Sequence, residues 1–235
     1  MSLQENIAGV RARIAAAARE VGRDPSEITL VAATKVQSSD TIRAAIAAGI
    51  TVCGENRVQE MTAHLEDDAY AGAALHFIGH LQTNKVKYVV GRVDLIESVD
   101  SLRLLQAIEE RAAWLELVQD ILLEVNIAGE QSKGGAAPEE LLDLAEFSCR
   151  APHIRLRGLM CIPPVVVPGE SNRKFFAQVR NLFVDIRTKM RHNETNLDQL
   201  SMGMSGDFED AVREGATLVR VGTALFGPRP PMAKA

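Results

Sequence analysis

Between residues 28 and 221, apolar runs of strand length alternate with amphipathic segments of helix length, and this alternation limits the fold more than any other feature. The strand-like runs fall at 28–35, 50–53, 76–79, 93–98, 120–127, 154–162, 199–202 and 217–221. Helix-like segments lie between them at 39–49, 56–66, 83–90, 101–115, 138–149, 171–191 and 206–214. Strand, helix, strand in repetition implies parallel pairing through helical crossovers. Eight such units in about 200 residues predict an α/β fold, a single (β/α)8 TIM barrel on the small side. A doubly wound open sheet is the alternative, weakened because no G-x-G-x-x-G follows the first strand. Leu3, Ile7, Val10, Ile14, Ala17 and Val21 repeat at helical spacing and Gly22 follows them, which predicts an extra N-terminal helix packed outside the first strand. The 235 residues are 46% apolar and no linker-like stretch interrupts them, so residues 1–235 read as one domain.

The formal net charge of −5 and the lack of a long basic tract argue against a nucleic-acid surface. No apolar run reaches the roughly 18 residues of a membrane span. Cys53, Cys149 and Cys161 are odd in number and widely spaced, which suits a reducing compartment better than a disulfide framework. Charged residues interrupt the N-terminal stretch, so it reads as neither a signal nor a transit peptide. The expectation is a cytoplasmic protein without membrane or nucleic-acid partners.

In a barrel, chemistry collects at the C-terminal strand ends, and phosphate often binds after strands seven and eight. Lys35 ends the first strand, Ser201-Met-Gly-Met-Ser205 ends the seventh, and Arg220-Val-Gly-Thr223 ends the eighth. Closure would set the first and last strands side by side. Period-two alternation puts Thr29, Val31, Ala33 and Lys35 on one face, so the lysine would stand at the mouth, partly desolvated and suited to Schiff-base formation. A lysine solvated at the rim is the plainer reading. Gly222 and Thr223 offer backbone N–H groups and a hydroxyl to an anion, with Gly203 and Gly206 beside Ser201 and Ser205 allowing a similar approach. Arg220 inside the mouth needs an acceptor, either a carboxylate or a pyridine nitrogen. Asn56, in Gly54-Glu-Asn56, suits a ring hydroxyl or the N-cap of the next helix. An amine, an anion cup and an arginine together suit an aldehyde carrying a phosphate, and pyridoxal 5'-phosphate (PLP) is the obvious candidate. His76 and His80 read as core or rim histidines, because no metal-binding set surrounds them. Cys161 reads as a small core residue, and Lys133 as part of a solvated loop.

Seven runs carry a resemblance. They are Leu30-Val-Ala-Ala-Thr-Lys35; Gly54-Glu-Asn56 with Val58-Gln-Glu60; His76-Phe-Ile-Gly-His-Leu-Gln-Thr-Asn-Lys85; Val125-Asn126 with Ser132-Lys133-Gly134; Arg157-Gly-Leu-Met-Cys-Ile-Pro163; Leu200-Ser-Met-Gly-Met-Ser205; and Arg220-Val-Gly-Thr-Ala-Leu-Phe-Gly227. Together they span residues 30 to 227 and resemble the pyridoxal phosphate homeostasis protein family, barrel relatives of alanine racemase. The resemblance implies PLP held as a Schiff base on Lys35. It implies phosphate on Ser201, Gly222 and Thr223, Arg220 facing the pyridine nitrogen, and Asn56 and Met204 at the cofactor. It further implies PLP buffering and delivery to apo PLP-dependent enzymes, without established turnover. The chain departs from the family pattern at Thr34, Cys53 and Val36-Gln37, and its Val165-Val-Val167 run is unusually apolar, which suggests a cover for the mouth or a partner contact.

The alternative function is a PLP-dependent amino-acid racemase of the alanine racemase type. Such an enzyme needs a second base opposite the lysine. The two tyrosines, Tyr70 and Tyr88, read as loop and helix residues away from strand ends. About a dozen residues follow the last strand, too few for a covering β-domain, so a monomer is expected. A Schiff-base aldolase acting on a sugar phosphate is a third reading, but it gives Arg220 no ring nitrogen.

Overall fold

The computed structural model describes residues 2–130, 133–165, 170–190 and 197–228. Eight parallel strands form a closed barrel in chain order: Thr29–Ala33 (β1), Val52–Glu55 (β2), Ala74–Phe77 (β3), Leu95–Val99 (β4), Gln119–Val125 (β5), Ile154–Cys161 (β6), Gln199–Ser201 (β7) and Leu218–Val221 (β8). The barrel shuts where β1 pairs with β8, from Thr29 against Leu218 to Ala32 against Val221. The (β/α)8 expectation holds.

The period-two pattern explains two cores. Val31, Val52, Leu95, Leu122, Met160 and Leu218 form a small cluster inside the barrel. Their strand neighbours, such as Leu30, Ala32, Ile96, Leu123 and Val219, join the larger cluster under the helices. Strands buried on both faces therefore read as near-continuous apolar runs. In β6 a register shift beside Ile121 and Leu122 brings Gly158 close to Gln199. A Cβ at Gly158 would collide with the Gln199 carbonyl oxygen, so this position admits no side chain.

The helices are Leu3–Glu20 (α1), Ser39–Ala47 (α2), Val58–Glu66 (α3), Leu102–Trp114 (α4), Leu141–Arg150 (α5), Arg173–Lys189 (α6), Phe208–Arg213 (α7) and Thr223–Phe226 (α8). Ser2 and Glu5 form a capping box at the start of α1, whose buried face is Ile7, Val10, Ile14, Ala17 and Ala18. That face packs mainly on α7 and α8 rather than on β1. The reason is that α8 is a single turn, and α1 covers the seam where a longer eighth helix would lie.

Several element expectations change, and the third strand lies at Ala74–Phe77 rather than 76–79. The helix expected at 83–90 is a 3-10 helix, Thr83–Tyr88, in a stretch crowded with Val86, Val89 and Val90, whose β-branched side chains disfavour an α-helix. The second strand lies at Val52–Glu55 rather than 50–53, because Ile50 is buried ahead of the strand. β1 stops at Ala33, which leaves Lys35 in a turn just beyond the strand. No helix among the described residues is long and apolar enough to cross a membrane.

Candidate functional site

A cavity of about 240 Å³ opens at the C-terminal ends of the strands, at the seam between β1 and β8. Of the seven residues expected from the sequence, Lys35, Asn56, Met204, Arg220, Gly222 and Thr223 line it. Ile78, Ile162 and Phe226 add apolar walls.

Lys35 occupies a tight turn. Thr34 is fully buried, its amide donating to Gly54 O at 3.0 Å and its hydroxyl to Glu55 Oε1 at 2.6 Å. Gln37 N donates back to Thr34 O at 3.0 Å and closes the turn. Within it Val36 adopts φ 59°, a conformation that β-branched residues strongly disfavour, while its amide donates to Glu60 Oε2 at 3.0 Å. The lysine is thus positioned by a buried threonine on one side and a strained valine on the other.

Asn56 is not the N-cap of α3. Arg57 holds that place, and no side chain caps the helix. Asn56 instead lines the cavity, and its Oδ1 is buried without a hydrogen-bond partner. Gly79 allows this, since a Cβ there would collide with the Asn56 carbonyl oxygen. An orphaned buried acceptor is costly and asks for a donor from a ligand.

Arg220 is buried at the cavity floor. It donates to Ser201 Oγ at 2.6 Å and to Cys161 O at 2.8 Å, and it lies 3.9 Å from Glu97 Oε2. Glu97 is fully buried, accepting from Ser201 Oγ at 2.6 Å and bonded to His76 Nδ1 at 2.7 Å. Burial pushes the Glu97 carboxyl up, but the His76 bond and the charges of His76 and Arg220 outweigh it and hold the group below the ordinary carboxylate range. A carboxylate therefore balances Arg220, which still borders the cavity. Ser201, expected at the phosphate, is not a lining residue. Its hydroxyl bridges Glu97 and Arg220 one layer down, so it supports the site from below.

The other serine of that motif is the one at the cavity. Ser205 Oγ accepts from Gly222 N at 3.3 Å and Ala224 N at 3.2 Å. Gly222 precedes the first turn of α8, so these long, weak bonds mark backbone donors aimed at an oxygen.

Three buried glutamates escaped the sequence reading. Glu97 is one. Glu55, behind the Lys35 turn, accepts from Thr34 and from Tyr70 at 2.9 Å; His64 Nδ1 lies 3.3 Å away. Burial raises the Glu55 carboxyl, and burial with the nearby Glu55 raises the Tyr70 hydroxyl strongly. Glu124 shares the inward strand parity of Leu122, and burial pushes it up to about 7, against the pull of Arg220. The available signal was parity: Glu97 and Glu124 each stand two residues after an inward leucine.

Tyr70 is buried against Glu55, and Tyr88 ends the 3-10 helix; neither borders the cavity. His76 is buried and His80 exposed, and no cluster able to hold a metal occurs among the described residues. Lys133 is held by Glu130 and Pro163 O rather than solvated freely. Val165 is exposed, while positions 166 and 167 of the apolar run, and Ser132, lie outside the described residues.

The alanine racemase N-terminal domain model matches residues 6–230. The pyridoxal phosphate homeostasis protein of Aquifex aeolicus is 43% identical over 229 residues, covering 97% of this chain and 99% of the relative. That of Pseudomonas aeruginosa is 42% identical over 229 residues, covering 97% and 96%. Among solved structures, PipY of Synechococcus elongatus PCC7942, with PLP bound, superposes with TM-score 0.84 at 32% identity, covering 96% of this chain and all 100% of PipY. An alanine racemase of Clostridium difficile 630 shares the fold at TM-score 0.70 and 14% identity, and 57% of that longer chain is covered.

Proposed function

The chain belongs to the pyridoxal phosphate homeostasis protein family, and from that premise we propose that it binds PLP at the barrel mouth and holds it covalently through Lys35. One observation carries the reading: Lys35 and the Gly222–Thr223 pair, far apart in sequence, line a single cavity together with Asn56, whose buried Oδ1 lacks a donor. Bound PLP supplies an aldehyde that condenses with a primary amine and loses water.

The residues divide the work. Lys35 provides the amine. Asn56 Oδ1 would accept a hydrogen bond from a ring hydroxyl. Gly222 N, Ala224 N and the Thr223 hydroxyl take the phosphate, with Ser205 yielding the two amides it now accepts. Arg220 has spent two of its five N–H groups and keeps donors for the ring nitrogen. Because a guanidinium does not give up its proton, the ring nitrogen stays unprotonated and the ring a weak electron sink. Ile78, Ile162 and Met204 line the cavity and would flank the ring.

That electronic arrangement favours storage and delivery over turnover, in a monomer working in the cytoplasm and handing PLP to apo-enzymes. The racemase alternative lacks its tyrosine, since neither Tyr70 nor Tyr88 borders the cavity. Purified protein titrated with PLP should turn yellow, and borohydride should bleach it and leave the adduct on Lys35 by peptide mass spectrometry. Label on another lysine overturns the assignment. Amino-acid racemisation that continues through many turnovers overturns the carrier reading.

A further inference from the structure

We propose that the foot of the barrel carries a second, non-covalent anion site for a phosphorylated small molecule with an apolar body. A cavity of about 330 Å³ lies there, bordered by Asp198 just before β7 and Thr217 just before β8, at the end opposite Lys35. Its volume falls in the lower part of the range usual for ligand pockets, about 300–1,000 Å³. Arg23, Arg180, Arg187 and Arg213 all line it.

The four arginines are not equivalent. Arg23 donates to Glu27 Oε2 at 3.2 Å and Val212 O at 2.9 Å. Arg213 donates to Glu20 at 2.7 Å and Asp210 at 3.1 Å. Asp198, the one carboxylate of the lining, has both oxygens held by Arg157, at 3.1 and 2.8 Å. That leaves Arg180 and Arg187, for which the structure provides no hydrogen-bond or ion-pair partner among the described residues. Both sit on α6, seven residues apart on one face, about 10 Å along the axis.

The rest of the cavity suits the body of such a ligand. Val21 and Val184 are 42% and 51% exposed at its edge, and Phe183 lies on its wall. Gly215, at φ 102°, lets Arg180 lie flat across it, since a Cβ there would stand 3.2 Å from both Cδ and Nε. A chain with net charge −5 here presents two guanidinium forks without a partner among the described residues, beside exposed apolar surface. Forked donors match phosphate oxygens two at a time, and apolar walls favour a ring over a bare ion. Among the described residues no lysine lines the cavity, so none of them can hold PLP covalently there, and the inference stands independently of the function proposed for the mouth.

Calorimetric titration of the full-length protein at low salt tests this with AMP, inorganic pyrophosphate and citrate as probes. AMP should bind at one saturable site. The double variant Arg180→Ala/Arg187→Ala should bind it at least about tenfold more weakly while keeping its melting temperature, because both positions are exposed on a helix and alanine is the best helix former. Val184→Asp should weaken AMP, and Lys35→Ala should not. Unchanged AMP affinity in the arginine variant, or no saturation by about 5 mM, overturns the site. Pyrophosphate or citrate binding as tightly as AMP overturns the apolar-bodied phosphate as its ligand.

Discussion

Val36, directly after Lys35, is the one β-branched residue at positive φ among the described residues, at φ 59°. Such a conformation costs about 1–3 kcal/mol, which the Glu60 bond to its amide and the Thr34–Gln37 turn must offset. Val36→Gly should relieve more strain than it adds in unfolded-chain entropy, raising stability by up to about 1 kcal/mol in a denaturant titration. A lower midpoint would show that the valine side chain contributes packing which outweighs its strain. Ser201 offers a second test at this scale. Ser201→Ala should lower stability by about 1–3 kcal/mol, because buried Glu97 and Arg220 each lose a partner. Competition by inorganic phosphate against PLP should stay as in wild type, whereas Thr223→Val should weaken it; a lost phosphate response in Ser201→Ala would return that serine to the anion site. Lys35, Gly222 and Thr223 were legible because they close strands whose count implies a barrel. The duty of Ser201 was not legible, because its partner Glu97 lies 104 residues away in sequence.

Among the elements, α8 is the one on which the proposed anion end depends. It is a single turn, too short to be stable alone, and it is tied to α1 by Asn6 Nδ2 donating to Leu225 O at 2.8 Å. Asn6→Ala should cost about 1 kcal/mol of stability and speed PLP release in a stopped-flow trap experiment, since Gly222 and Thr223 begin that turn. A release rate equal to wild type would mean that α8 is held by Leu225 packing alone. Four residues carry no periodicity, so the sequence offered no helix at Thr223–Phe226 and placed α1 over β1. Long amphipathic segments such as α4 and α6 were legible within two residues at each end, because helical spacing repeats several times along them. The stretch at 83–88 was legible as helical but not as 3-10, since six residues, about two turns, do not separate the two periods.

At the scale of the whole molecule, the buried carboxyls make stability depend on pH in opposite senses. Glu124 titrates in the folded state near 7, above its ordinary value, so the folded chain holds that proton more tightly than the unfolded one. The stabilisation is fully present below about pH 4 and is lost as pH rises through 7. The shift from an ordinary 4.5 to about 7 corresponds to roughly 3 kcal/mol. Glu124→Gln should therefore raise the apo-protein's melting temperature at pH 8 by several degrees and change it little at pH 5. An equal effect at both pH values would show that the carboxyl is not what titrates. Glu97 acts the other way. Its folded value is depressed, so its contribution is present above the ordinary carboxylate range and is lost as pH falls through the folded value. Glu97→Gln should destabilise the protein at neutral pH by about 3–5 kcal/mol, read in the same melting series, because Arg220 would keep its charge without a counter-ion. The sequence by itself determined the number and order of the strands, the cores on their two faces and the residues standing at the strand ends, since these follow from local periodicity. Only the tertiary structure decided which carboxyls are buried, which serine meets the cavity and that arginines crowd the foot. Those choices are made where eight strands and their helices approach one another, and spacing along a chain carries no record of distance across a barrel.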